Sequence, residues 1–126
     1  MYNNTNLKSI TIGEGVTTIN TAAIAICPNL TEINYNAQYI SDISFSDSTS
    51  YKFSNLGHNG PGITLTIGPN VSNIPAYMFY SSGSDANQLN ITTLIFAENS
   101  TCRTIGTSAF MGRTSLVNVM IADSVT

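Results

Sequence analysis

Charge is the scarcest commodity in this chain. Acidic and basic side chains together make up 9% of its 126 residues, against about 25% in an ordinary soluble domain. Only Lys8, Lys52, Arg103 and Arg113 carry positive charge, and the net charge is −3. Four scattered cations cannot follow a phosphate backbone, so nucleic acid is excluded as a partner. The same count excludes a basic face for anionic lipid. The longest apolar run, Ala22–Cys27, falls far short of the ~18 residues of a membrane span, so no direct membrane insertion is expected. Met1 leads straight into polar residues, and no signal peptide is read within the chain.

Reactive groups are as few. His58 is the only histidine, held between Gly57 and Asn59 with no nucleophile motif beside it. A G-x-S-x-G elbow is absent, and Gly106-Thr107-Ser108-Ala109-Phe110 lacks the second glycine. The cluster Gly57-His58-Asn59-Gly60-Pro61-Gly62 lacks the Gly-Lys-Ser/Thr ending of a phosphate cradle and reads as a turn. Asp42, Asp47, Asp85 and Asp123 do not take the spacing of a calcium loop. No enzyme, cofactor or metal site is therefore expected. The two cysteines, Cys27 and Cys102, belong to different repeat copies (described next) about three rungs apart, roughly 15 Å. A disulfide tolerates Cα atoms no more than about 7 Å apart. Two buried free thiols are expected.

What the chain does have is serine, threonine, asparagine and a recurring apolar spacing. Leu-x-x-Ile-x-Ile is followed by a small loop, Val-x-x-Ile, and then an Ala-Phe pair. The first copy reads Leu7, Ile10, Ile12, Val16, Ile19, Ala23, Ile24 and closes on Leu30. The second takes Ile33, Tyr35, Ile40 and Ile43. The third runs Leu65, Ile67, Val71, Ile74, Met78, Phe79, and the fourth Ile91, Leu94, Phe96, Cys102, Ile105, Ala109, Phe110. A fifth begins Leu116, Val119, Ile121, Val125. Ile10, Ile33, Leu65, Leu94 and Val119 are 23, 32, 29 and 25 residues apart. Periods of this size mean stacked repeats. The alternation within each copy has period two, which is one buried face of a short strand. Five strands would then stack as a parallel ladder, with Ile10, Ile33, Leu65, Leu94 and Val119 in one inward row.

Burying five or six large apolar side chains gains roughly 1.5–3 kcal/mol each. Fixing some two dozen residues costs about 1–2 kcal/mol per residue in backbone entropy alone. One repeat cannot fold by itself; only its neighbours close the gap.

The pattern L-x-x-I-x-I-x-x-x-V-x-x-I-x-x-x-A-F-x-x-C-x-x-L resembles the BspA-type leucine-rich repeat of bacterial cell-surface proteins. It is carried best by Leu7–Leu30 and Leu94–Leu116, with Ile24 in place of the phenylalanine and Arg113 in place of the cysteine. The resemblance implies a β-rich (α+β) solenoid, a right-handed stack with a parallel strand ladder and short helical turns or irregular segments outside. Asn20 as N-cap, Pro75 at the first helical position and Gly106-Thr107-Ser108 occupy the matching outer column. Residues 44–62 read as an irregular insertion, with Tyr51, Phe53 and Leu56 tucked back on the core, and 81–88 as a shorter one. The whole chain, 1–126, reads as one solenoid segment of about 4.5 repeats, and the absence of polar end caps predicts a piece of a longer protein with an open edge prone to edge-to-edge self-association.

The side chains that alternate with the buried ones form two outward columns: Ser9, Glu32, Thr64, Thr93, Asn118 and Thr11, Asn34, Thr66, Ile95, Met120. They are the candidate binding face, since solenoids commonly bind through such extended surfaces. The resemblance implies an extracellular or cell-surface module that adheres to host matrix or other cells through an unidentified protein or glycan ligand. The alternative is a structural stalk or spacer with no ligand of its own.

Overall fold

The computed structural model describes residues 2–44, 52–81 and 89–126. The β-branched runs SITI, EINY, ITLTI and ITTLIF form strands with alternating burial, because branched side chains suit a half-buried pleated surface. Numbered along the chain, the strands are β1 (Ser9–Ile12), β2 (Ile24–Cys27), β3 (Glu32–Tyr35), β4 (Phe53–Leu56) and β5 (Ile63–Ile67). They continue with β6 (Asn73–Ile74), β7 (Ile91–Phe96), β8 (Thr104–Ile105) and β9 (Asn118–Met120). Five of them make one parallel sheet in the order β1-β3-β5-β7-β9. Its register aligns Ile10, Ile33, Leu65, Leu94 and Val119, and beside them Ile12, Tyr35, Ile67 and Phe96. The expected ladder is present with the expected pairing, through periods of 23 to 32 residues.

Two smaller parallel pairs complete the rungs: β2 with β4, and β6 with β8. Single bridges lengthen the first pair at both ends, Tyr2 to Ala25 and Leu56 to Leu89. Each side chain thus stacks on its counterpart one rung away. The clearest stack is aromatic. Phe53 lies face to face with Phe79 at 5.5 Å, Phe79 with Phe110 at 5.3 Å, and Tyr35 meets Phe79 edge-on at 5.6 Å. Ile24 continues this column beyond Phe53.

Of the two forms expected on the outer side, helical turns or irregular segments, the structure takes the second: no helix occurs among the described residues. Asn20, Pro75 and Gly106 instead each open a hydrogen-bonded four-residue turn, accepting from Ala23, Met78 and Ala109. The third residue of each turn has positive φ: Ala22 at 51°, Tyr77 at 57° and Ser108 at 54°. That is the type II pattern. It wins because the following residue must return inward, to β2 or to the aromatic column, sooner than a helical turn permits. Gly106 fits here because a methyl group on it would overlap the Ala76 backbone nitrogen of the neighbouring rung.

The segment 44–62, by contrast, is not wholly irregular. Phe53 and Leu56 are buried as expected, but within β4, in register with Ile24 and Cys27. Tyr51 and the bulk of 81–88 lie outside the described residues. Lastly, Val119 keeps its place in the ladder but is 48% exposed, whereas Ile33 and Leu65 are fully buried, because no further rung covers it.

Candidate interaction face

The ladder's register assembles the outward residues. Ser9, Glu32, Thr64, Thr93 and Asn118 pair strand to strand, as do Thr11, Asn34, Thr66, Ile95 and Met120. With rungs about 4.8 Å apart and alternate residues about 6.7 Å apart along a strand, the ten cover a strip roughly 19 Å long. Ser9, Thr11, Glu32, Asn118 and Met120 are exposed; the five in the middle rungs are half-buried by their neighbours. The strip holds one charge, Glu32, and its carboxylate accepts from Asn34 Nδ2 at 2.6 Å, tying the two columns together. A face of hydroxyls and amides with a single carboxylate and an apolar corner, Ile95 and Met120, can donate and accept hydrogen bonds.

A third column borders the strip and was not read from the sequence. Asn36, Gly68 and Ala97 follow the ladder strands and donate their N–H groups to Ile12, Tyr35 and Ile67 carbonyls. The Asn36 amide lies against Gly68, in space that a side chain there would fill. The missed signal was the two-residue alternation carried one step past each strand.

Elsewhere the reactive groups stay apart. His58 is exposed in its turn, beside Asn59, whose N–H donates to Pro28. No group of three His, Cys, Asp or Glu suited to a metal occurs among the described residues. Cys27 and Cys102 are free and fully buried, as expected. Burial pushes the Cys102 thiol up, partly offset by hydrogen bonds with the Thr104 and Ile74 backbone. Arg113, which departs from the repeat pattern, spreads its guanidinium over three carbonyls: Phe79, Tyr80 (2.7 Å) and Leu89 (3.1 Å). The charge closes the backbone of the preceding rung at the point where that rung's chain departs for residues 82–88. A cleft of about 450 Å³ lies between the fourth and fifth rungs, bounded by Phe96, Asn99, Met120, Ile121 and Asp123.

A continuous parallel ladder with one rung per repeat is the architecture of a stacked-repeat module. The chain matches the family model of the BspA type leucine-rich repeat region (6 copies) over residues 1–52 and 86–126, and it belongs to that family. No curated protein and no solved structure matches it. The unmatched residues between 53 and 85 contain β4, β5 and β6, so the repeat stacking runs through them as well.

Proposed function

We propose that this chain is a non-catalytic module of a bacterial surface or secreted protein, and that it adheres to a protein or glycan through Ser9, Thr11, Glu32, Asn34, Thr64, Thr66, Thr93, Ile95, Asn118 and Met120. The observation that carries the reading is the alignment of these ten side chains on one strip with a single charge. Contacts to such a strip are individually weak and gain strength by repetition along a rigid support. Connections between its parallel strands take the right-handed sense that such crossovers favour.

The test is to pass the labelled chain over immobilised matrix glycoproteins and a glycan array, beside Thr64→Lys/Thr66→Lys. Two lysines at the centre of the strip should abolish any specific signal while circular dichroism stays unchanged. Retention of binding by the variant would move the ligand off this face. A second reading is favoured by the strip's lack of aromatic side chains: a spacer that holds another domain away from the envelope. Silence of the native chain on every surface would support it.

A further inference from the structure

We propose that Asn59-Gly60 is a self-modifying site, where the Asn59 side-chain amide is lost without any enzyme and aspartate or isoaspartate takes its place. The pair lies in the turn between β4 and β5, at the middle of the chain. Its chemistry is independent of any ligand for the outward strip.

Of the fifteen asparagines, Asn59 alone is followed by glycine. A side chain on the following residue shields that residue's backbone nitrogen and narrows the dihedrals through which the nitrogen can approach the asparagine Cγ. Glycine imposes neither restriction. Asn29, Asn34, Asn70 and Asn90 differ on both counts. They precede Leu30, Tyr35, Val71 and Ile91, and their amides donate to Thr5 O, Glu32, Glu14 and Gly57 O.

The turn is fixed at its ends and loose in its middle. Gly57 N donates to Cys27 O at 3.1 Å, and Asn59 N to Pro28 O at 2.9 Å. A methyl group on Gly57 would overlap Ile63, and one on Gly62 would overlap Thr92. On Gly60 it would meet only Thr31 Cγ2, at an ordinary 3.7 Å. The Gly60 N–H reaches Gly57 O at 3.4 Å, longer than a usual hydrogen bond, and shares that carbonyl with Asn90 Nδ2 at 3.0 Å. Asn59 is exposed, and its side-chain amide makes no hydrogen bond among the described residues. A weakly held nitrogen therefore stands next to an unheld amide.

In the reaction Gly60 N attacks Asn59 Cγ. The new C–N bond closes a five-membered imide, the Cγ–Nδ2 bond breaks, and Nδ2 departs as ammonia with the Gly60 proton. Water then opens the ring. Attack at Cγ restores the main chain and leaves aspartate. Attack at the main-chain carbonyl carbon leaves isoaspartate, with one extra backbone atom in the turn. Either product exchanges ammonia for water, makes the chain one dalton heavier and adds one negative charge. The change runs one way, so the converted fraction records the age of the molecule. It falls beside Thr31, the neighbour of Glu32 on the strip.

The purified chain, held at pH 8 and physiological temperature for two weeks, should gain one dalton at position 59 by peptide mapping. Isoelectric focusing should show a more acidic band growing in step, with unchanged circular dichroism. Gly60→Ala has room for its methyl group, so it should keep the fold and slow the conversion by about tenfold or more. Asn59→Gln should abolish it, because glutamine would have to close a larger ring. No conversion at position 59 in that period would overturn the proposal. So would equal rates in the native chain and Gly60→Ala, or conversion led by Asn36-Ala37 or Asn99-Ser100.

Discussion

Tyr35 sits in the middle of the ladder, fully buried, with its hydroxyl lacking a hydrogen-bond partner among the described residues. In the unfolded chain that hydroxyl is solvated by water, so folding strands it. Leaving a buried polar group unsatisfied costs about 1–3 kcal/mol, and removing the one oxygen opens only a small void. Tyr35→Phe should therefore raise stability at pH 8 by about 0.5–2 kcal/mol. The ring contact with Phe79 survives the change. Urea unfolding followed by circular dichroism reads the difference. A second signature lies at high pH. Burial holds the Tyr35 phenol well above its ordinary value of about 10. The unfolded state ionises first, so this contribution is complete below about pH 10 and fades as pH climbs toward the raised folded value. For one proton the slope is about 1.4 kcal/mol per pH unit. Because the unfolded phenol is only half ionised at pH 10, the native chain should lose about 1 kcal/mol more than Tyr35→Phe between pH 10 and pH 11. Destabilisation by 1 kcal/mol or more at pH 8, with parallel alkaline curves, would show that the hydroxyl has a partner and refute the reasoning.

Phe79→Ala should be the costliest change in the aromatic column, at about 4–5 kcal/mol, since it opens a core cavity and ends three ring contacts. Phe110→Ala, at the half-buried end of that stack, should cost less by urea midpoint; equal losses would mean that the stack contributes little. Gly106→Ala should cost about 1–3 kcal/mol, because its methyl meets the Ala76 backbone rather than a side chain that can turn away. Neither Cys27 nor Cys102 should react with Ellman's reagent in the native protein, both should react in denaturant, and rapid native labelling of Cys102 would contradict its burial.

The register was legible because two signals coincide in every copy. Alternation of period two marks the buried face, and the longer spacing fixes which residue stacks on which. Ile10, Ile33, Leu65 and Leu94 could be aligned without any knowledge of the chain between them. The outer turns were not legible for a local reason: Ala22, Tyr77 and Ser108 adopt positive φ without being glycine. Such a conformation costs an L-residue about 1–2 kcal/mol, and only the packing of the next residue imposes it. Strand β4 was hidden because its aromatic stands at an irregular distance from its column-mates. Phe53 reads as a loop residue until Phe79 and Ile24 lie on either side of it. The outward strip followed directly from the inward one, but Asn36 and its contact with Gly68 needed the bonds beyond the strand ends. Arg113 looked like a defect in the motif, and its role depends on three carbonyls contributed by distant residues.

The unequal spacing of the rungs has a consequence for how such a protein can change. Intervals of 23, 32, 29 and 25 residues still align Ile10, Ile33, Leu65, Leu94 and Val119, with one register shift at Ile63/Thr64 in the β5–β7 pair, so length is absorbed in the connections while the pairing of the inward row stays constant. The Gly13-Glu14-Gly15 bend beyond β1 is exposed, and both glycines face open space. Foreign sequence spliced there would be displayed beside the ladder, giving up the bonds that Glu14 accepts from Gln38 N and Asn70 Nδ2 but none of the strand pairs. A scaffold of this design lends itself to the acquisition of new segments by recombination, one connection at a time.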